Sequence, residues 1–288
     1  MDITQLNTFI AVAKAGSFTE ASERLHITQP AISKRIKTLE ERIGSPLFDR
    51  LGQRILLTDA GELLLPRATD IVERMNNCLQ DIQNLDAHVG GTITLGISHY
   101  IGLLRIPPIL RAFSQQYPDV QLDIHFYDSE TALDNVEQGL LDLAVVTLPN
   151  NPSIDTDRFT HEVIWRDELS CVVHQTHPLI SEPSLDMAAL ANYPAILPQF
   201  DTVTGKLIQY AFDAHDVQLT AQHPTNNLDN IKVMISTGFS PECWSMLPTL
   251  MLKDSGLIEL TVEDLAICRD LGVIHSSNKT LSNASKEL

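Results

Sequence analysis

Short amphipathic stretches alternate with stop signals over the first 58 residues. Leu6, Phe9, Ile10 and Ala13 recur at i, i+3, i+4 and i+7, one apolar stripe of a helix that Gly16 ends. Ser17 opens a second helix, with Glu20 three residues on in the arrangement of a capping box, and Ala21 and Leu25 face inward. His26 and Ile27 form a turn. Thr28 then caps a third helix with Pro30 in its first turn, where a missing N–H is harmless. Ile32, Ile36, Leu39 and Ile43 make its core stripe, and Gly44 closes it. The opposite face presents Gln29, Ser33, Lys34 and Lys37, with Arg35 at its edge. Leu47 and Phe48 return to the core, and Asp49 to Leu57 reads as two short strands around Gly52, a wing carrying Arg50 and Arg54.

From Thr58 to about Asp86 the pattern is one long helix. Leu64, Ala68, Ile71, Met75, Cys78, Ile82 and Leu85 are spaced alternately four and three apart, a heptad seam that buries only against a second helix. Pro66 is expected to kink it or delay its regular part. Gly90-Gly91 is a hinge, after which strands and helices alternate. Strands are expected at 92–97, 120–126 and 142–146, with helices at 101–117 and 129–138. A second unit starts with a strand at 168–173 and continues through 195–197 and 218–221, with helices at 185–191, 203–214 and 228–237. Residues 271–275 then return to the first sheet, and a short helix follows from Leu281. Such alternation implies parallel sheets with helices on both faces.

The length, 288 residues, suits two to three folding units. A net charge of −17 argues at first against nucleic acid, but it is unevenly distributed. Residues 1–58 hold eight basic against six acidic side chains, a net of +2, and the remainder carries −19. A basic helix face beside a capped preceding helix and an arginine-bearing wing is the chemistry of a duplex-DNA reader: side chains for base edges, a helix N-terminus and arginines for phosphate. The start of the chain has neither the basic residues nor the apolar run of a signal peptide, and no stretch of eighteen apolar residues occurs, so a cytoplasmic protein with no membrane partner is expected.

The run Ala21-x3-Leu25-x2-Thr28-Gln29-Pro30-Ala31-x-Ser33-x3-Lys37-x-Leu39-Glu40-x3-Gly44-x2-Leu47-Phe48-x-Arg50 resembles the signature of the LysR-type transcriptional regulators. The resemblance implies an all-α winged helix-turn-helix over 1–58, a dimerising linker helix and hinge over 59–91, and an α/β effector domain of the two-lobed periplasmic-binding-protein type over 92–288. Lobe I would span about 92–163 and 267–288, and lobe II about 164–266. It further implies that Thr28, Gln29, Pro30, Ser33, Lys34, Arg35 and Lys37, with Arg50 and Arg54 in the wing, lie on double-stranded DNA. A homodimer or homotetramer, contact with RNA polymerase, and control by a small-molecule effector belong to the same expectation.

An effector is expected at the carboxyl ends of the strands, between the lobes. Candidates are Ser98, His99 and Tyr100 after the first strand, Thr147 after the third, and Phe200, Thr202, Asn226 and Asn227 on the second lobe. Ser98 and Thr202 are equally explained as helix caps. A helix N-terminus with a hydroxyl and an imidazole suits a carboxylate, whereas Asp201 beside the cleft would favour an amphoteric or cationic ligand. Residues Gly238 to Pro248 depart from the tight Gly-x-Gly turn usual in this family, inserting Pro241-Glu242-Cys243.

Cysteines stand at 78, 171, 243 and 268 without CxxC spacing, so no disulfide framework is indicated. Two rivals to a small-molecule effector remain: a thiol switch using Cys243 or Cys171 and, more weakly, an enzyme fused to a DNA-binding domain, which lacks a recognisable catalytic constellation. Cys171, His174 and His177 are poorly spaced for a metal. No Gly-rich phosphate loop and no Gly-x-Ser-x-Gly is present, so neither a cofactor nor an enzymatic activity is expected.

Overall fold

The computed structural model describes residues 1–51, 54–149, 154–182 and 184–288, and of Arg50, Leu51 and Arg54 the backbone alone. The chain forms two compact units, Met1–Asp86 and Ala87–Leu288.

In the first unit, α1 (Ile3–Ala15), α2 (Phe18–Arg24) and α3 (Gln29–Ile43) precede a hairpin of β1 (Phe48–Leu51) and β2 (Arg54–Leu57), and α4 (Asp59–Gln83) follows. Gly16 and Gly44 end α1 and α3 in the left-handed region, at φ 61° and 79°. The capping box lies one helix earlier than expected. Asp2 and Gln5 satisfy each other's amides reciprocally at α1, whereas at α2 Ser17 accepts from the Glu20 amide and the Glu20 carboxylate is drawn to Arg24 at 2.6 Å. Thr28 stands at the N-cap of α3 but its hydroxyl makes no capping bond. Ile32, Ile36 and Leu39 pack with Leu6, Phe9, Val12, Phe18, Ala21 and Leu47 in one core; Ile43, the last position of that stripe, is exposed. The Phe48 ring packs tilted against Phe9 and edge-on to Phe18, and Glu40 accepts from the Leu47 amide at 2.8 Å, which fixes the exit of the chain from α3.

The seam expected over Leu64–Leu85 is divided between two environments. Leu64 and Ala68, with Val72, belong to the core of the first unit, because this half of α4 packs on α1 and β2. Ile71, Met75, Cys78, Ile82 and Leu85, joined by Leu79, are exposed on the single chain. Pro66 sits inside α4 without ending it.

The second unit begins with β3 (Gly91–Ser98), α5 (His99–Leu104), α6 (Pro107–Gln116), β4 (Val120–Tyr127), α7 (Ser129–Glu137) and β5 (Leu143–Thr147). The single helix expected over 101–117 is two, since Pro107 has no N–H to continue α5. Next come β6 (Phe159–Val173), α8 (Met187–Ala191), α9 (Val203–Asp213), α10 (Leu228–Ser236), β7 (Trp244–Pro248), β8 (Ile258–Leu260), β9 (Ile267–Ser276) and α11 (Asn283–Glu287). The sheet order is β4-β3-β5-β9-β6-β7, with β8 on β6. Strands β3, β4 and β5 are parallel, whereas β9 is antiparallel to both β5 and β6.

The sheet is therefore mixed, and the 15-residue β6 and the returning β9 carry it from one lobe to the other. The strands expected at 195–197 and 218–221 reduce to isolated parallel bridges, Ala195 to Ala221 and to Trp244, because Pro194 and Pro198 remove ladder donors on either side. Trp244 and Phe212 stack at the centre of the second lobe, and the indole N–H donates to the Leu190 carbonyl at 3.0 Å.

Gly272 lies where β9 crosses the register shift between Val163 and Trp165, and a Cβ there would meet the Glu162 carbonyl oxygen at 2.1 Å. Gly272→Ala is expected to lower stability by about 2–3 kcal/mol, since backbone must move to admit the methyl group. A thermal melt of the full chain within 1 °C of the wild type would contradict this close approach.

Candidate functional site

Helix α3 turns Gln29, Pro30, Lys34 and Lys37 to solvent and holds Ser33 and Arg35 half-buried. The inward residues of this helix explain the split: with Ile32 and Ile36 locked in the core, the side chains one and two positions on point away from it. Arg35 reaches back to α1, Nη1 donating to Thr8 Oγ1 at 3.4 Å, and Lys37 pairs loosely with Glu41 at 3.9 Å. The side chains of Arg50 and Arg54 lie outside the described residues; their backbones pair within the hairpin.

In the second unit a cleft of about 70 Å³ opens at the ends of β3 and β5. Ser98, His99, Tyr100, Thr147, Thr202, Asn226 and Asn227 all line it. Phe200 does not: it packs into the hydrophobic core of the far lobe. Asp201 is exposed and does not line the cleft, and the acids that do are Asp128 and Glu130. Thr202 is committed as a cap, accepting from the Gly205 amide at 3.0 Å and donating to the Gln199 carbonyl at 2.7 Å. Asn227 similarly caps α10 through the Asn230 amide at 3.0 Å. Ser98 behaves differently. It occupies the N-cap of α5 without a capping bond, and its hydroxyl is buried with no partner.

Beneath the cleft lies a charged cluster that no local sequence pattern announces. Asp167 of β6 and Arg269 of β9 are direct cross-strand partners, and Arg269 Nη2 donates to Asp167 Oδ2 at 3.2 Å. Arg105, after α5, donates to the other oxygen of the same carboxylate. Arg269 also donates to Thr204 Oγ1 at 3.0 Å and lies over the Tyr100 ring, 4.7 Å from its centroid. One carboxylate thus serves two guanidinium groups. Burial, then the direct approach of the Asp167 carboxylate and its charge, pushes the Tyr100 phenol up to about 12, and burial pushes Arg269 below its ordinary value. The next cross-strand pair carries the same charges in reverse, Arg166 with Asp270 at 3.1 Å, and faces solvent.

The thiols and imidazoles singled out in the sequence have other tasks. Cys171 and Cys243 are both buried, and burial drives each thiol up, away from the reactive thiolate. Cys243 Sγ also lies 3.5 Å from Gln222 Oε1, and Cys78 and Cys268 are exposed. His177 accepts from the Leu179 amide at Nδ1, 3.1 Å away, and Nε2 meets the Glu242 carbonyl at 2.9 Å, so the ring is neutral with its proton on Nε2. No group of three or more metal-ligating side chains occurs among the described residues.

Burial lowers the His177 pKa, so the unfolded chain binds the proton more tightly. Its contribution is whole above the unfolded value of about 6.5 and is lost as pH falls from there through the lower folded value. Melting curves between pH 7.5 and 5 should show this loss, and a His177→Asn chain should lack that component. An identical pH profile for both proteins would remove the assignment.

A family profile described as "LysR substrate binding domain" matches residues 86–288, and one described as "Bacterial regulatory helix-turn-helix protein, lysR family" matches residues 3–62. The chain belongs to the LysR family. It is a LysR-type transcriptional regulator with a DNA-binding helix-turn-helix and an effector-binding domain. It is 29% identical over 291 residues to a probable RuBisCO transcriptional regulator of Cyanophora paradoxa, covering 99% of this chain and 89% of that one. It is also 27% identical to the transcriptional activator CmpR of Synechocystis, covering 96% and 90%. The fold is similar to a full-length OxyR variant from Pseudomonas aeruginosa, with a TM-score of 0.70 at 20% identity and coverage of 96% and 90%. It is likewise similar to full-length CbnR complexed with its target DNA, with a TM-score of 0.54 at 18% identity and coverage of 100% and 96%. No helix among the described residues of this LysR-family chain is long and apolar enough to cross a membrane.

Proposed function

We propose that this LysR-type regulator acts in the cytoplasm as a homodimer, or a pair of dimers, that reads DNA through α3 and answers to a small molecule in the cleft of its second unit. Residues 1–58 read the duplex, 59–91 pair the chains, and 92–288 form the two lobes. Gln29, Ser33 and Pro30 meet base edges. Thr28, Lys34, Arg35 and Lys37, with Arg50 and Arg54 of the wing, hold phosphate. The observation that carries this reading is the face of α3: Gln29, Lys34 and Lys37 are exposed on a helix whose other side is fixed in the core. The target-DNA complex formed by CbnR, a protein of similar fold, is consistent with it.

The exposed apolar positions of α4 supply the pairing surface, and two linked readers place their helices on half-sites about one helical turn apart or a multiple of it. Ligand binding between lobes joined by β6 and β9 shifts the balance of two dimer states, and with it access for RNA polymerase. The chain needs no catalytic group for this task. A small-molecule signal is favoured over a thiol switch because Cys171 and Cys243 are buried with raised thiol pKa values.

Footprinting on promoter fragments that the protein selects from the source genome, followed by titration of variants, tests the reading. Lys34→Ala should weaken specific and random DNA alike and reduce the slope of log affinity against log salt by about one. Ser33→Ala should cost about 1–3 kcal/mol on the specific site alone. Equal losses for both variants on both DNAs would refute the division of roles, and wild-type protein that protects no promoter segment would refute the reading itself.

A further inference from the structure

Three buried polar groups without a hydrogen-bond partner surround the cleft: the Ser98 hydroxyl, the Tyr100 hydroxyl and Arg269 Nε. Their residues are 7%, 4% and 2% exposed, and they come from three different elements, the end of β3, α5 and β9. A buried donor left unpaired lowers stability, so three such donors around one cavity indicate an occupant that brings acceptors. Hydroxyls and a guanidinium N–H together are matched by a carboxylate.

The facing wall has the opposite chemistry. Asp128 and Glu130 flank the start of α7, and each uses one oxygen on a helix N-terminus. Asp128 accepts from the Thr131 amide at 2.7 Å, and Glu130 accepts from the Val203 amide of α9 at 2.5 Å. Their second oxygens take no hydrogen bond among the described residues. A simple anion entering this space would meet two carboxylates, and a simple cation would meet Arg269 and leave the three donors unpaired. A molecule bearing both charges satisfies both walls.

We infer that the effector is a small zwitterion of the amino-acid class, its carboxylate received by Ser98, Tyr100 and Arg269 and its ammonium by Asp128 and Glu130. The inference rests on the proposed effector cleft and names the chemistry of its ligand. The cavity of about 70 Å³ limits the side chain to a compact one. The Glu130 bond to α9 joins the two lobes, so an ammonium drawn to that carboxylate acts directly on a contact between them.

The test uses the full chain and three sets of probes in thermal shift and calorimetry. These are the twenty proteinogenic amino acids, carboxylates without an ammonium (acetate, propionate and lactate), and amines without a carboxylate (methylamine and ethanolamine). At least one small amino acid should raise the melting temperature by about 5 °C at saturating concentration, with no comparable effect from the single-charge probes. Ser98→Ala, Tyr100→Phe and Glu130→Gln should each weaken that ligand by about tenfold or more. Ser98→Ala should leave the unliganded melting temperature unchanged, because it removes a hydroxyl that has no partner.

Carboxylates that bind as tightly as amino acids, or an amino-acid panel with no effect, would overturn the assignment. Promoter binding by the same preparation separates the two levels. Intact DNA binding without an amino-acid response removes the ligand class alone, whereas absent DNA binding removes the regulatory reading.

Discussion

Asp167→Ala should destabilise the second unit by about 3–5 kcal/mol, a large fraction of the stability of an ordinary domain. Among the described residues, Asp167 is the one carboxylate that both Arg105 and Arg269 reach, and Arg269 is 2% exposed. Without it the Arg269 guanidinium keeps, among the described residues, Thr204 and Tyr100 as partners while remaining out of water. For a unit of this size the melting temperature should fall by about 6–20 °C. Replacing both cross-strand partners, Asp167→Leu with Arg269→Met, should recover part of the loss, because the desolvation cost of the ion pair is then removed along with the pair. A loss below about 1 kcal/mol for the single variant would mean that water reaches the cluster and that its charges are screened.

Met75→Glu should convert the protein to a monomer and lower its apparent affinity for a two-half-site operator by about 10²–10⁴. Met75 lies among Ile71, Cys78, Leu79 and Ile82 on the exposed half of α4, so a charge there costs the isolated unit little and disfavours a paired apolar seam strongly. Ala68→Glu is the contrasting variant: Ala68 is fully buried in the core of the first unit, and a carboxylate there should unfold that unit whatever the oligomeric state. Sedimentation and DNA titration distinguish the two effects. A Met75→Glu protein that still sediments as a dimer would place the pairing surface elsewhere. A net charge of only +2 on residues 1–58 makes the affinity of one reader modest, which is why the loss of pairing should weigh so heavily.

The first unit was legible element by element because its structure is written in local rules. Stripe spacing located α1 and α3, and left-handed glycines ended them. At α2 two local partners compete for Glu20, and Arg24 holds it in place of a capping box, while Thr28 stands at the cap position of α3 with no side-chain capping bond. In α4 the heptad spacing was visible, yet spacing could not reveal that Leu64 and Ala68 are claimed by the unit's own core. In the second unit the helices flanked by Asp, Ser and Thr caps lie near their expected positions. Strands that depend on distant ladders are shifted or reduced to bridges, as at Ala195 between two prolines, and β7 forms within the segment whose sequence resembles a variant turn.

The cleft shows the same division. Ser98, Thr147 and Thr202 were reachable from strand ends, but Asp128 and Glu130 looked like ordinary helix-start acids, and Arg269 had no signal beyond its charge. The dipeptides Arg166-Asp167 and Arg269-Asp270 are each unremarkable. Only the antiparallel register of β6 and β9 brings Asp167 opposite Arg269, 102 residues away, and turns that pair inward while Arg166 and Asp270 face water. The sequence by itself determined a helix-turn-helix, a long helix with an apolar seam and a succession of α/β elements, because periodicity and capping act over a few residues. The tertiary structure alone decided which half of that seam is free and which charges meet beneath the cleft, because both depend on pairing between segments far apart in the chain.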